Sequence, residues 1–193
     1  MGRPRMTSVA VVPAAGRSER FGSPKLTSPL AGEPLLERTV RALLDGRVAR
    51  VVVVAPATGA FEHLPLVHDP RVTVVVNPLP ERGMFSSIQV GLEAAEGDPV
   101  LVLPGDMPFV RAATVTAILA AYDEAPGLIV PRRHGRHGHP IAFPGWLRAA
   151  ARAASPSSTL ADLLRAQRLE RRELEIDDPG ILHDVDTPAD LMD

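Results

Sequence analysis

The chain has 193 residues, of which 45% are hydrophobic, and its formal net charge is −2 at pH 7. A chain of this length can bury one substantial core, so we expect a single domain over residues 1–193. The interspersed charges exclude the strong positive field of a non-specific nucleic-acid binder, and the absence of cysteine excludes disulfides, thiolate metal sites and cysteine nucleophiles.

The N-terminal residues do not predict export. The basic arm at residues 2–5 is followed by a short apolar run, Val9 to Val12, that ends at Pro13, whereas an export signal needs about 7 to 15 apolar residues. No stretch approaches the roughly 20 apolar residues of a membrane span. We therefore expect a soluble cytoplasmic protein that acts on small molecules and binds neither membranes nor nucleic acid.

Short β-branched runs alternate with stretches of helical spacing over the first two thirds of the chain. Apolar runs without polar alternation predict strands buried on both faces, and apolar residues three and four apart predict helices. The strands are predicted at 9–12, 51–55, 72–76, 100–103 and 128–130, and the helices at 35–44, 88–96 and 113–122. Gly46 is in the position of a C-terminal cap for the first helix. This order predicts an α/β fold with a mostly parallel sheet.

The last third is less regular. Strands are predicted at 140–143 and 172–176, and helices at 146–154 and 159–167. A final helix is predicted near the end of the chain, because Thr187 can cap it, Pro188 suits its first turn and Asp190 completes a capping-box pattern.

A loop of small and basic residues follows the first strand. Residues 13–25 read Pro-Ala-Ala-Gly-Arg-Ser-Glu-Arg-Phe-Gly-Ser-Pro-Lys. At the carboxyl end of a strand, such a loop can bring backbone N–H groups against phosphates, and Arg17, Arg20 and Lys25 then supply the countercharge. The spacing matches neither a P-loop nor G-x-G-x-x-G. A turn with solvated basic residues is the alternative.

Two acidic segments offer candidate metal ligands. Asp106 follows the fourth predicted strand, and a hard cation such as Mg²⁺ prefers carboxylate and phosphate oxygens. Asp184 and Asp186 lie two residues apart in an extended segment, so both could face one cation. The alternatives are a turn in which Asp106 binds its own backbone and, for Asp186, a position favoured by the neighbouring helix start.

The densest basic stretch is residues 131–140, Pro-Arg-Arg-His-Gly-Arg-His-Gly-His-Pro. It could bind an anionic acceptor, hold a transition metal through His134, His137 and His139, or form a solvated loop. Its flexible glycines disfavour a metal site, and its lack of aromatic residues disfavours nucleic-acid binding. Acceptor binding and a solvated loop both stay open.

Taken together, residues 13–25, the turn at 105–108, the Gly-His-Pro at 138–140 and residues 184–191 resemble the MobA-like nucleotidyltransferases. The likeness is strongest to the molybdenum cofactor cytidylyltransferases, and the motifs keep their order across nearly the whole chain. The resemblance implies a Rossmann-like three-layer fold with a mostly parallel mixed sheet. It also implies Mg²⁺-dependent transfer of a nucleotidyl group to molybdopterin cofactor or a similar phosphorylated small molecule, with a molybdoenzyme as a conceivable recipient.

The same resemblance implies roles for individual residues. The nucleotide would be held by Ala14, Ala15, Gly16, Arg17, Ser18, Gly83, Met84 and Ser87. The catalytic residues would be Arg20, Lys25 and Asp106. Asp106 and Asp186 would bind Mg²⁺, and His139 would contact the acceptor. Ala15, where guanylyltransferases of the family usually have glycine, and the segment at 83–88 both favour CTP.

Other functions stay open. Molybdopterin-handling relatives commonly carry a Gly-Ala-Arg-like segment where this chain has Ser-Pro-Ser-Ser-Thr-Leu at 155–160, which weakens the case for that acceptor. The alternatives are a guanylyl or sugar-phosphate nucleotidyltransferase, a nicotinamide-dependent reductase of quinone-like compounds on the same fold, and a non-catalytic cofactor chaperone. The absence of an acid near Ala55, where a dinucleotide fold binds ribose, argues against the reductase.

Overall fold

The structure is a computed structural model that describes residues 7–16, 25–155 and 157–191. Its strands are β1 (Val9–Pro13), β2 (Pro29–Leu30), β3 (Glu33–Pro34), β4 (Arg50–Pro56), β5 (Val72–Asn77), β6 (Val100–Val102), β7 (Leu128–Arg133), β8 (Arg136–His137), β9 (Ile141–Phe143) and β10 (Arg171–Glu175). Its α-helices are α1 (Leu35–Asp45), α2 (Met84–Ala94), α3 (Ala112–Glu124), α4 (Leu147–Ala153) and α5 (Leu160–Ala166). Single 3-10 turns lie at Lys25–Thr27, Pro65–His68, Pro80–Arg82, Pro179–Leu182 and Pro188–Leu191.

Within the described residues, an eight-stranded sheet has the order β10-β7-β9-β6-β1-β4-β5, and β8 pairs with β7 beside this path. Strand β1 is parallel to β4 and β6, β4 is parallel to β5, and β7 is parallel to β10. Strand β9 is antiparallel to both of its neighbours, β6 and β7. The predicted mostly parallel mixed sheet is therefore confirmed.

The central strands β1, β4 and β6 are buried on both faces, which explains their valine runs without polar alternation. Along β1, Ala10 and Val12 join the core beneath α1 and α3, whereas Val9 and Val11 join the core beneath α2, α4 and α5. The sheet thus lies between two helix layers, as the resemblance implied. In the described part of the chain, no helix is both long enough and apolar enough to cross a membrane.

Two predicted helices differ from the observed ones. Helix α2 begins at Met84 instead of residue 88, because Gly83, with φ of 95°, turns the chain into the helix without a capping side chain that the sequence could have revealed. The final element is a single 3-10 turn, Pro188–Leu191. Its start is fixed by the Asp190 carboxylate, which accepts hydrogen bonds from the backbone N–H groups of Asp186 and Thr187 at 2.9 and 2.7 Å.

Candidate active site

A cavity of about 290 Å³ opens at the carboxyl ends of β1 and β6. Its walls come from the loop after β1, the start of α2 and the turn after β6. The cavity brings together these residues from the predicted site: Ala14, Ala15, Gly16, Lys25, Gly83, Met84, Ser87 and Asp106. The predicted residues Arg17, Ser18 and Arg20 lie outside the described residues.

Lys25 lies at the centre of the site. Its Nζ donates to Asp106 Oδ2 at 2.9 Å and to Asp186 Oδ1 at 3.4 Å. The Lys25 side chain is only 11% exposed, whereas those of Asp106 and Asp186 are 23% and 51% exposed. Lys25 is also the one lysine in the sequence, a signal that sequence analysis did not use. Lys25 and the carboxylates of the two acidic segments therefore converge.

The turn that carries Asp106 is tied to its neighbours. The backbone N–H of Gly105 donates to the carbonyl of Pro13 at 3.1 Å, and the buried Thr39 hydroxyl of α1 donates to the carbonyl of Gly105 at 3.0 Å. These bonds join the ends of β1 and β6 and hold Asp106 over the cavity.

Asp186 reaches the site through a backbone contact with Asp106. The N–H of Val185 donates to the carbonyl oxygen of Asp106 at 2.9 Å, and the Val185 side chain is fully buried. Two carboxylates from distant parts of the sequence are therefore adjacent in space.

The arrangement fits a hard divalent cation. Asp106 and Asp186 already share one cationic atom, Lys25 Nζ, so their oxygens can approach a common charge. Among the described residues, no group of three or more His, Asp or Glu side chains could hold a metal ion. A cation held by two carboxylates would take its other ligands from phosphate oxygens and water, which is how Mg²⁺ binds in many nucleotide enzymes.

A second cavity of about 480 Å³ adjoins the first and shares Gly83, Met84 and Pro104 with it. Its walls are mostly apolar side chains of α2, β6, β9 and α5, and include Phe85, Ile88, Val102, Ile141 and Leu164. This cavity lies on the side of α2 that faces β9 and α5.

His139 lines the second cavity and is half-buried. Burial lowers the pKa of the imidazole, and the nearby Asp106 and Asp184 only partly oppose this effect. His139 Nδ1 lies 3.4 Å from the carbonyl oxygen of Val102, which can only accept, so Nδ1 carries the proton and Nε2 is an acceptor. The neutral ring can receive a hydrogen bond from a ligand.

The other histidines of the basic stretch point elsewhere. His137 Nε2 lies 2.7 Å from Glu173 Oε1, and the backbone N–H of His134 donates to Glu175 at 3.1 Å. Arg132 also pairs with Glu173, so these contacts hold the β7–β8 hairpin against β10. His134 and His137 therefore contact residues of β10, while His139 lines the second cavity.

Sequence analysis missed two polar residues that shape the site. Asn77, buried at the end of β5, donates to the hydroxyls of Ser86 and Ser87 at 2.9 and 3.0 Å and so fixes the start of α2. Asp178 is buried behind the segment that leads to Asp186. The polar residue that ends the apolar run of β5 was the available signal for Asn77; nothing local marked Asp178.

A family model described as the MobA-like NTP transferase domain matches residues 10–172. The chain belongs to the MobA-like NTP transferase family. The matched part includes β1 from Ala10 onward, the Asp106 turn and the start of α2, while Asp186 lies beyond it. The family expected from the four motifs is confirmed, and this MobA-like chain carries a nucleotidyltransferase domain.

Named relatives agree on the enzyme class. The molybdenum cofactor cytidylyltransferase of Escherichia coli K12 is 25% identical over 184 residues, which cover 94% of this chain and 92% of the relative. The 2-C-methyl-D-erythritol 4-phosphate cytidylyltransferase of Streptomyces coelicolor A3(2) is 37% identical over 145 residues. That match covers 67% of this chain and 51% of the relative, so the MobA-like chain spans about half of that enzyme's length.

A solved structure shares the fold over almost the whole length. Rv0371c of Mycobacterium tuberculosis H37Rv superposes with a TM-score of 0.82 at 25% identity, and the match covers 96% of both chains. Its complex with manganese superposes with a TM-score of 0.76 at 23% identity and the same coverage. The MobA-like chain therefore has the α/β fold of the family from β1 to the final turn.

Proposed function

We propose that this chain uses Mg²⁺ and a nucleoside triphosphate to transfer a nucleotidyl group, CMP from CTP, to molybdopterin cofactor or a similar phosphorylated small molecule. The observation that carries the proposal is the contact of Lys25 Nζ with both Asp106 and Asp186, at a cavity that Lys25 and Asp106 line at the carboxyl ends of the strands. We include residues 1–193 in one domain, because β1, β10 and the segment with Asp186 contribute to one sheet and one site.

The first cavity suits the nucleotide. At Gly16 and Gly83, no atom of the described residues, apart from the glycine and its chain neighbours, lies within 4 Å of the position where a side chain would begin. The loop after β1 lies where ligands bind in open α/β sheets. The relatives include both cytidylyltransferases and guanylyltransferases, so they support nucleotidyl transfer, and the choice of CTP follows from Ala15 and the segment at 83–88.

In the proposed reaction, an oxygen of the acceptor's phosphate attacks the α-phosphorus of the triphosphate in line. The bond from the α-phosphorus to the bridging oxygen breaks, and pyrophosphate leaves with the electron pair. Lys25 neutralises the charge that develops on the α-phosphoryl and leaving oxygens. Asp106 and Asp186 would hold Mg²⁺, which when bound supplies further positive charge to the phosphates. The protein's main contribution is position and charge, so it needs no covalent nucleophile.

Chemical modification of the single lysine tests the proposal. An acetylating N-hydroxysuccinimide ester can acylate the Lys25 ε-amine and the α-amine of the chain, and peptide mass spectrometry separates the two. At a CTP concentration about ten times Kd and with Mg²⁺, occupancy should slow Lys25 acylation about tenfold, by the factor 1 + [L]/Kd. The α-amine serves as the internal control.

The same experiment identifies the preferred triphosphate. ATP, GTP and UTP at the same concentration should protect Lys25 less than CTP does, and pyrophosphate release should require both Mg²⁺ and the acceptor. If Lys25 were acylated at the same rate in the absence of a triphosphate and in the presence of each of the four, the proposal would lose its basis. Stronger protection by GTP would reassign the donor while keeping the reaction.

The second cavity is our proposed site for the body of the acceptor. Its volume of about 480 Å³ suits a small organic molecule, and the shared residues Gly83 and Met84 place it beside the phosphate-binding cavity. An acceptor there could direct its phosphate toward Lys25 and Asp106, while His139 Nε2 accepts a hydrogen bond from its body.

Ala161 gives a way to block this cavity without disturbing the core. It lies on α5, is exposed and lines the cavity. Ala161→Phe should raise the KM for molybdopterin cofactor by about tenfold or more, since an added ring fills the space that a ligand needs, and should leave CTP protection of Lys25 unchanged. Ala166→Phe, at an exposed position of the same helix outside the lining, is the matched control. Equal KM values for the two variants would place the acceptor elsewhere.

A further inference from the structure

Asp178 is a buried carboxylate without a part in the proposed chemistry. The residue is 1% exposed. Its Oδ2 accepts hydrogen bonds from the backbone N–H of Arg111 at 2.9 Å and from the Thr114 hydroxyl at 2.6 Å, and its Oδ1 accepts one from the N–H of Gly180 at 2.9 Å. A buried carboxylate is tolerated only when such donors replace water. Asp178 therefore joins the start of α3 to the turn Pro179–Leu182.

Residues 178–186, which begin with Asp178 and end with Asp186, are called the C-terminal segment. It packs against the backbone of the Asp106 turn and of the Gly138–His139 loop without intervening side chains. A Cβ at Gly180 would overlap the carbonyl of Phe109, and a Cβ at Gly138 would overlap the carbonyl of Ile181. Glycine is needed at both places because two backbones approach too closely for any side chain.

Hydrogen bonds hold the C-terminal segment along its length. The N–H of His139 donates to the carbonyl of Ile181 at 3.0 Å, and the N–H of Val185 donates to the carbonyl of Asp106 at 2.9 Å. Between them, the rings of Phe109 and His183 stack with centroids 4.6 Å apart. Asp178 lies at the start of this series of contacts and Asp186 at its end.

The exposure of Asp186 makes its backbone position important. Its side chain is 51% exposed, whereas Asp178 and Val185 are buried. The Asp186 carboxylate contacts Lys25 Nζ at 3.4 Å, and its distance from Asp106 also depends on where the C-terminal segment places the Asp186 backbone.

We propose that Asp178 is a positioning residue for Asp186: its buried carboxylate anchors the C-terminal segment and thereby sets the spacing of the Asp106–Asp186 pair. The inference rests on the proposed function in one respect, namely that this pair binds a divalent cation. Residues behind the direct ligands of a metal commonly tune its affinity about 10- to 100-fold.

A double-mutant cycle with Mn²⁺ as the probe tests this inference. Asp178→Asn keeps the size of the side chain but presents an amide NH₂ to donors that need an acceptor. In the presence of saturating CTP, Asp178→Asn should weaken Mn²⁺ binding, measured by the electron paramagnetic resonance signal of free Mn²⁺, by about tenfold. In the Asp186→Asn background, the same change should alter the affinity by less than about twofold, because residues that act through one another are not additive.

Two further sets of variants separate positioning from general stability. Thr114→Val removes one donor to Asp178 and should also weaken Mn²⁺ binding. Thr114→Ser keeps the hydroxyl and should bind Mn²⁺ with the wild-type affinity. These conservative changes also provide a readout if Asp178→Asn does not fold. Asp98→Asn is the matched control, because Asp98 accepts hydrogen bonds from Tyr122 at 2.9 Å and from Gly145 at 2.6 Å outside the cavity lining. Asp98→Asn should lower the free energy of unfolding in urea and leave Mn²⁺ affinity unchanged.

The outcomes distinguish the inference from the proposed function. If Asp186→Asn binds Mn²⁺ as the wild type does, the metal assignment fails, and the inference fails with it. If Asp186→Asn weakens binding but Asp178→Asn has no effect, or has the same effect in both backgrounds, only the positioning role of Asp178 is overturned. A non-additive loss of Mn²⁺ affinity in the double-mutant cycle, together with wild-type affinity in Thr114→Ser, supports the positioning role of Asp178.

Discussion

Lys25→Ala is expected to lower kcat/KM for pyrophosphate release by about 10²- to 10³-fold, a loss typical of removing one preorganised charge or donor from a transition state. The Lys25 Nζ lies within 2.9 Å of Asp106 Oδ2 and 3.4 Å of Asp186 Oδ1, and its side chain is largely shielded from water. Without the ammonium group, two carboxylates would face a polyphosphate with one positive charge fewer. Both triphosphate affinity and turnover should therefore fall.

Arg71→Ala is the control for Lys25→Ala. Arg71 pairs with Asp69 at 2.7 Å, and its side chain is 52% exposed. Exposed ion pairs contribute little, so this variant should retain wild-type activity in a coupled pyrophosphate assay and wild-type CTP affinity by calorimetry. A Lys25→Ala enzyme as active as Arg71→Ala would show that Lys25 does not act on the phosphates.

Asp106→Asn is expected to cause a loss of similar or greater size, about 10³-fold in kcat/KM or ~4 kcal/mol at 1.36 kcal/mol per tenfold. Asparagine keeps the shape of the side chain and one oxygen, but removes the negative charge that a hard cation prefers. The Lys25 ammonium would also lose the nearer of its two carboxylate partners. The Mg²⁺ concentration that gives half-maximal activity should rise, so added Mg²⁺ should recover part of the loss.

The dependence on Mg²⁺ is the decisive measurement for Asp106. Asp123→Asn, an exposed position on α3, is the control and should show the wild-type Mg²⁺ curve. If Asp106→Asn lost activity while its half-maximal Mg²⁺ concentration stayed the same, Asp106 would act on Lys25 or on the substrate instead of on the metal ion.

Much of the fold could be predicted because the amino-acid composition of the central strands indicates that they are buried on both faces. Runs such as Val51 to Ala55 are buried on both faces and show no alternation, so they are visible without any knowledge of their neighbours. The direction of β9 could not be predicted this way. It pairs antiparallel with β6, and Val102 lies opposite Ile141. The start of β9 therefore lies beside the end of β6, which brings His139 to the edge of the sheet that holds Asp106.

The candidate site was predicted in part for a related reason. Lys25 and Asp106 each follow a recognisable strand or belong to a recognisable motif, and the structure brings both together with Asp186. Their roles stay predictions until the variants are measured. Asp178 could not be predicted, because its partners Arg111 and Thr114 are 67 and 64 residues away in sequence and nothing next to it marks the contact. Hydrogen bonds between distant segments become visible only when the chain is folded.

The sequence distance of 161 residues between Lys25 and Asp186 also has a consequence for synthesis of the protein. On the ribosome, Lys25 is translated 161 residues before Asp186, and Asp106 is translated between them. A nascent chain therefore carries the lysine and only one carboxylate of the acidic pair until translation reaches Asp186. Proteolysis between Asp178 and Asp186 would return the chain to that state, with the first cavity still lined by Lys25 and Asp106 but the proposed cation site incomplete.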